Sequence, residues 1–390
     1  MATTAIYASR VLTPQDEISD GVILVEGERI AGVGHRDEIR VPPGATDYVA
    51  TGMTIVPGFV DLHIHGAGGH DVMEATPRAL DRITSTVARH GTTSLVATTV
   101  TAPIEETCRS LAGIAHYIYE QGRSPNRQLA AEILGIHLEG PFISGARRGV
   151  HPASSIAVPS QEVLDRFLQA ADGLVRILTV APELPGAIAL IEAAVAAGIV
   201  VAMGHTDASY EQARAAIQAG ARHAVHTYNA MRPFMHRDPG ILGAILTDPE
   251  VTAEFIADGV HVAGPAIQIL IGSKGFDAVL AVSDGISATG MSDGNYRLGN
   301  FEVVVRDGVC RSADGHLAGS TLTLDRALRN IVGLGVPFAE AVRMITVLPA
   351  RRLGLAGKKG VIAPGADADL VALTSDLRVA GVMARGVGLA

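Results

Sequence analysis

Between residues 55 and 284 the chain passes repeatedly from a short apolar stretch to a longer segment with helical spacing, and this alternation restricts the fold more than any other feature. The strand-like stretches are 55–65, 94–100, 133–139, 175–182, 199–205, 223–227, 253–258 and 278–284. Helical spacing follows over 77–90, 104–121, 160–171, 186–197, 208–219 and 264–274, with a shorter connection between the sixth and seventh strands. Parallel strands covered on both faces carry nearly continuous apolar side chains, as these do. Eight strand–helix units in roughly 230 residues suit an α/β fold of the (β/α)8, TIM-like barrel type, which typically takes ~250 residues. A doubly wound open sheet is the structural alternative. No Gly-x-Gly-x-x-Gly turn follows an early strand, and GAGGHD (66–71) has the wrong spacing for one and comes directly after a pair of histidines.

Both chain ends have a different texture. Residues 1–52 alternate apolar and polar positions, and ISDGVILVEGERIAGVG (18–34) reads as short antiparallel strands with Asp20-Gly21 and Glu26-Gly27 at turns. The stretch after Gly360 has the same pattern, so the two ends are expected to build one small β-sandwich domain together. The expected division is 1–54 and 353–390 for that domain and 55–352 for the barrel. Within the latter, 285–320 is rich in Gly, Asp and Asn, and FEVVVRDGVCR (301–311) reads as a hairpin turning at Asp307-Gly308. Two helices, 321–334 and 337–349, complete it.

Composition excludes several classes. With 40 acidic and 31 basic side chains the formal charge is −9, which disfavours non-specific nucleic-acid binding. Two cysteines, Cys108 and Cys310, leave no disulfide framework and no cysteine-built zinc site, and are expected as buried thiols in a reducing, cytoplasmic setting. The N-terminal MATTAIYASRVLTP lacks a basic segment followed by an apolar one. The longest apolar run, 187–204, is interrupted by Glu192 and divided at Gly198, so it reads as a helix and a buried strand and not as a membrane span.

The chemistry collects at the ends of the strands. The first strand ends Asp61-Leu62-His63-Ile64-His65; residues two apart share a face, so His63 and His65 both point into the barrel. Glu139 ends the third strand, His205 the fifth and Asp284 the eighth, and His226 belongs to the sixth. In a barrel these C-terminal ends converge on the mouth where catalytic groups lie. A lone strand histidine is usually an ordinary core or surface residue. Four imidazoles and two carboxylates at matching positions are hard to accommodate as packing, because buried charge costs several kcal/mol unless it is paired or bound to metal. Histidines with a carboxylate form a common ligand set for a catalytic divalent ion, and extra ligands permit a second.

The flanking motifs carry a resemblance. PGFVDLHIHG (57–66) and GADADLV (365–371) resemble the amidohydrolase superfamily. Within it, HLEGPF (137–142), RRGVHP (147–152), GHTDA (204–208), HTYNAM (226–231), DGVH (258–261), SDG (283–285) and LAGS (317–320) resemble the N-acetylglucosamine-6-phosphate deacetylases. Some superfamily members bridge two metals with a carboxylated lysine, but no lysine occurs here between Tyr48 and Lys274, and Glu139 stands where that bridge is expected. The resemblance implies Glu139, His205 and His226 as core metal ligands, with His63 and His65 available for a second ion. The ion is expected to be zinc, with iron, manganese or cobalt as other choices for an N/O set, one or two per chain. It also implies hydrolysis of the acetamide of N-acetyl-D-glucosamine 6-phosphate to D-glucosamine 6-phosphate and acetate by a metal-activated hydroxide. Asp284 would then act as general base and acid, and His151 would polarise the carbonyl. Asp61 is expected at a structural position. For the phosphate the resemblance points to Asn229, Ala230, Arg237 and His261, partly supplied across the interface of a homodimer, with a tetramer as the other assembly. Arginine suits that task because its planar fork binds phosphate in a bidentate manner. Arg147 and Arg148 stay open between closing over the substrate and simple solvation. The alternative function is another amidohydrolase acting on a different N-acyl sugar, N-acyl amino acid or cyclic amide. Neither nucleic acid nor membrane is an expected partner.

Overall fold

The structure, a computed structural model, describes residues 3–121 and 128–389; Met1, Ala2 and Ala390, which belong to the expected end domain, fall outside them. Eight parallel strands form one sheet: β1 (Phe59–Ile64), β2 (Thr92–Thr99), β3 (Glu132–Glu139), β4 (Val175–Val180), β5 (Val200–Met203), β6 (His223–Ala224), β7 (Thr252–Ile256) and β8 (Val279–Val282). Neighbours in sequence are neighbours in space from β1 to β8. The ring closes just past the last strand: Asp284 N donates to His63 O (2.9 Å), and His65 N donates to Gly285 O (2.7 Å). This is the expected (β/α)8 barrel. Asp61 fastens the same seam, its buried Oδ1 accepting from His63 N at 3.3 Å and Ser283 N at 3.2 Å. That fits the structural part expected of it.

The outer ring is α1 (Pro77–Ala88), α2 (Ile104–Gln121), α3 (Gln161–Ala170), α4 (Ala187–Ala196), α5 (Tyr210–Gln218), α6 (Gly240–Thr247), α7 (Gly264–Lys274) and α8 (Leu324–Gly333). α1 shows why such segments become helices here. Thr76 caps it by accepting from Ala79 N at 3.2 Å, Pro77 occupies its first turn, and Leu80, Ile83 and Val87 lie buried on one stripe. α6 is a helix where only a short connection was expected. Its sequence, GILGAILT, is buried along most of its length and therefore lacks an amphipathic period. The apolar run 187–204 divides as expected into α4 and β5, and no helix among the described residues is long and apolar enough to cross a membrane.

The chain ends meet in a single seven-stranded sheet, ordered 387–388, 379–384, 370–373, 46–57, 3–12, 17–26, 29–35. Its central joint pairs Leu370–Leu373 antiparallel with Thr54–Pro57, bringing the two ends of the sequence side by side. Residues 365–368 draw its outer strands together around one core, for Ala368 N donates to Glu28 O (2.8 Å) and Gly386 N to Ala368 O (3.0 Å). Asp20-Gly21 is not a turn, contrary to expectation. It lies inside the strand Glu17–Glu26 with Asp20 at φ 45°; the turn expected at Glu26-Gly27 is there, one residue on, at Gly27-Glu28 between the paired Glu26 and Arg29. A Cβ on Gly21 would come within 2.7 Å of Val11, so glycine serves close packing there. Lys359, fully buried, joins this sheet to the barrel: its Nζ lies 2.5 Å from Glu132 at the start of β3 and 2.9 and 2.8 Å from Asp367 and Asp369. Burial opposes its charge, but the three carboxylates outweigh that and raise its pKa.

A third sheet, Gly294–Leu298, Phe301–Arg306 and Val309–Ser312, stands over the barrel mouth on a small core that includes Val100, Ile286 and Ala318. Its hairpin turns at Asp307-Gly308 as expected, both residues at positive φ, as a two-residue turn requires. Both cysteines are free; Cys310 is buried, but Cys108 is only partly so, which corrects the expectation for it.

Candidate metal centre and substrate pocket

The strand ends deliver their polar side chains to one point. His63, on β1, and Glu139, the last residue of β3, are fully or almost fully buried, as are His65, His205, His226 and Asp284 just past their strands. Three of these residues leave their strands through the left-handed region: His205 at φ 45°, His226 at 26° and Asp284 at 50°. Such backbone costs on the order of 1–3 kcal/mol each and survives where the surroundings enforce it. Its effect here is to aim the side chains into the mouth.

Glu139 is the hub. Its Oε1 lies 2.9 Å from His226 Nε2, 3.2 Å from His63 Nε2 and 3.4 Å from His205 Nε2. Its Oε2 lies 3.2 Å from His65 Nε2 and 3.5 Å from His151 Nε2. Asp284 Oδ1 closes the group at 3.3 Å from His65 Nε2 and 3.7 Å from His63 Nε2. Burial works against charge on His65, but Asp284 and Glu139 outweigh it and raise its pKa to about 9. For Glu139 burial pushes upward, and the imidazoles around it pull its pKa well below the carboxylate range.

The far side of each ring decides what the near side can do. His65 Nδ1 donates to Thr98 O (3.2 Å), His205 Nδ1 to Arg147 O (2.9 Å), and His63 Nδ1 to the carboxylate of Glu254 (3.1 Å). In its neutral form each ring, with its one proton held at Nδ1, turns an Nε2 lone pair towards Glu139, the arrangement found in metal-ligating histidines. His63 Nε2 makes no hydrogen bond despite full burial, and His205 and His226 place Nε2 atoms 3.2 Å apart. Lone pairs gathered so closely call for a cation. The residues fit one: His63, His65 and Asp284, or His63, Glu139 and His226, each bring three ligand atoms within 4.8 Å of one another.

His151 belongs to the same shell with a different polarity. Thr101 N donates to His151 Nδ1 at 3.2 Å, so the neutral ring carries its proton on Nε2, directed to Glu139 and the cavity. Gly140 allows this close approach: a Cβ there would lie 2.0 Å from Thr101 Oγ1.

A cavity of about 200 Å³ opens on the cluster, lined by His65, Glu139, His151, His205, His226 and Asp284. Asn229, Ala230 and His261 line it as well. His261 Nδ1 donates to Asp258 (2.7 Å); burial disfavours its charge, yet Asp258 outweighs burial and raises its pKa. Arg237 is not brought to this cavity. It lies exposed on the turn Met235–Asp238, beside the exposed Phe234 and Met235. Arg147 and Arg148, left open by the sequence, face the protein itself: Arg147 Nε donates to Asp207 (2.7 Å) and Arg148 to His151 O (2.8 Å). Leu298, His316 and Leu317, from the sheet over the mouth and the loop after it, line the cavity too. Their sequence is loop-like and held no chemical signal. Thr98, Thr101 and Glu254 were also not singled out; only Glu254 had a legible sign, a charge in the middle of an apolar strand.

Comparison with known proteins places this geometry in context. The model of the amidohydrolase family matches residues 54–388. The chain is 38% identical to the N-acetylglucosamine-6-phosphate deacetylase of Vibrio furnissii, over 97% of this chain and 93% of that one. It is 37% identical to the N-acetylgalactosamine-6-phosphate deacetylase of Escherichia coli O157:H7, over 98% of each. Among solved structures it resembles a mutant N-acetyl-D-glucosamine-6-phosphate deacetylase of Mycobacterium smegmatis in complex with N-acetyl-D-glucosamine-6-phosphate. That match has a TM-score of 0.92 and 40% identity, covering 100% of this chain and 99% of the other.

Proposed function

The chain belongs to the amidohydrolase family and, within it, to the N-acetylglucosamine-6-phosphate deacetylases, and from that premise we propose how its own residues divide the work. The reaction is hydrolysis of the acetamide of N-acetyl-D-glucosamine 6-phosphate to D-glucosamine 6-phosphate and acetate. The observation that supports the residue assignment best is the convergence of the Nε2 atoms of His63, His65, His205 and His226 on Glu139, with Asp284 beside them, at the cavity.

Glu139, His205 and His226 hold the principal divalent ion, and His63 and His65 serve a second. Zinc suits this imidazole and carboxylate set, which also accepts iron, manganese or cobalt. Such an ion supplies Lewis-acid polarisation and makes water acidic enough to lose a proton near neutral pH. Asp284 takes the proton of the attacking water and returns it to the departing amine, which cannot leave as an anion. His151 donates its Nε2–H to the acetyl carbonyl oxygen as negative charge develops there. His261, with its charge sustained by Asp258, and the Asn229–Ala230 turn meet the phosphate.

Acetate release from the phosphorylated sugar, set beside unphosphorylated N-acetylglucosamine and the galactosamine epimer, tests the substrate. Strong turnover of N-acetylglucosamine 6-phosphate alone is expected. The relatives include a deacetylase of each epimer, so preference for the galacto sugar would relocate the specificity to the C4 hydroxyl. No turnover of any of the three would sink the substrate assignment.

Arg237 serves a second copy of the chain in this reading, because it is exposed, does not line its own cavity and follows the exposed apolar Phe234 and Met235 in sequence. Arg237→Ala then raises KM for the phosphorylated sugar roughly 10–100-fold, as expected for ~1.5–3 kcal/mol in hydrogen bonds to a charged group. Mixing Arg237→Ala with Asp284→Asn chains under subunit exchange is expected to restore part of the low-KM activity. The mixed dimer combines one intact cavity with one intact arginine, and no recovery would place Arg237 outside the neighbour's site. Two unpaired cysteines suit a reducing, cytoplasmic setting, which cell fractionation would contradict by finding the activity with secreted protein.

A further inference from the structure

Behind the metal cluster lies a second, fully buried polar group that the reaction does not use: Glu254 on β7, with His223 on β6. Its two oxygens are divided. Oε2 accepts from His63 Nδ1 at 3.1 Å and from His226 N at 3.3 Å, and Oε1 accepts from His223 Nε2 at 2.8 Å. An ionised carboxylate only accepts, so both rings must present protons to it. For His63 this fixes the tautomer: hydrogen on Nδ1, lone pair on Nε2, the atom that has no hydrogen bond of its own. His137 packs edge-on against the His63 ring at 4.7 Å and is itself held by Thr179 Oγ1 at 2.8 Å.

A carboxylate is a costly choice for this position. An apolar side chain would match Ala253 and Phe255 on either side and avoid the desolvation of a buried charge. His65 and His205 obtain the same tautomer from backbone carbonyls, which carry no charge. We propose that Glu254 is a positioning residue for the metal centre: by holding His63 in its ligating tautomer and orientation, it sets the affinity of the second divalent ion. This rests on the reading of the cluster as a metal centre. His223 holds the other oxygen, so that the carboxylate cannot rotate away from His63.

Glu254→Gln tests it with zinc alone. The amide has a single acceptor oxygen and must turn an N–H towards either His63 or His223, both of which donate. Zinc is titrated against a competing chelator, with bound metal counted per chain. The wild type is expected to take two ions. In the variant the first keeps its affinity and the second weakens 10–100-fold, the usual effect of removing an outer partner of a ligand. In a His63→Asn background the same substitution is expected to change nothing further, because the ring through which it acts is gone. If Glu254→Gln does not fold, Glu254→Asp carries the test, since it keeps the charge but withdraws it from His63. Unchanged binding of both ions overturns the proposal, as does an equal loss in the His63→Asn background. A wild type that saturates at one ion overturns it and leaves the deacetylase reading intact. A wild type that binds no zinc or other divalent ion overturns both.

Discussion

Asp284→Asn lowers kcat by roughly 10²–10⁴-fold, the range for loss of a placed proton acceptor and donor. The substitution is unusually clean at this position. Asparagine matches the volume of aspartate and tolerates the left-handed backbone that Asp284 adopts at φ 50°, so the seam between β1 and β8 stays closed. What is lost is the ability to take a proton. Steady-state kinetics at saturating zinc, with bound metal measured in parallel, check this: turnover is expected to collapse while the ion proposed for Glu139, His205 and His226 is retained. Activity within a few-fold of wild type would show that another group moves the proton.

Stripping the protein with a chelator removes turnover by on the order of 10³-fold, equivalent to several kcal/mol of lost charge stabilisation. Adding back zinc, cobalt or manganese restores it, and the order of recovery reports which ion the donor set prefers. A second readout needs no substrate. The native fold gathers these ligands and the unfolded chain does not, so saturating metal raises the midpoint of thermal unfolding, increasingly with the ratio of free metal to Kd. An apo protein with full activity, or with an unchanged midpoint on metal addition, would refute the metal centre.

The barrel was legible because its strands are buried on both faces and flanked by amphipathic helices such as α1, where the 3.6-residue period is plain. The same reasoning failed for α6, where burial removes the period. Asp20-Gly21 looked like a turn because the pair suits positive φ, but the glycine answers to Val11 across the strand pair, which sequence does not display. In the site, the residues of His63, His65, Glu139, His205, His226 and Asp284 were readable because strand ends in a barrel must meet. The groups behind them were not. Thr98 and Arg147 act through backbone carbonyls, which every residue possesses, and Thr101 through its backbone N–H together with its hydroxyl. Glu254 stood in view inside a strand, but its partners come from β1 and β6, and only the closed ring brings them to it.

The pairing of Leu370–Leu373 with Thr54–Pro57 has a consequence for how the protein is made. On the ribosome, the strands 3–12, 17–26, 29–35 and 46–57 emerge first and can pair among themselves, but the open side of 46–57 has no partner until the whole barrel has been translated. Throughout that interval the nascent chain presents an unpaired strand edge and the apolar face of an unfinished core, the features by which growing chains stick to one another. Lys359 arrives just as late, so Glu132 on β3 waits for its counter-charge until the barrel has been made, and Asp367 and Asp369 follow the lysine. Completion of this small sheet therefore comes after the barrel strands have been made, and it brings the segments before and after the barrel side by side.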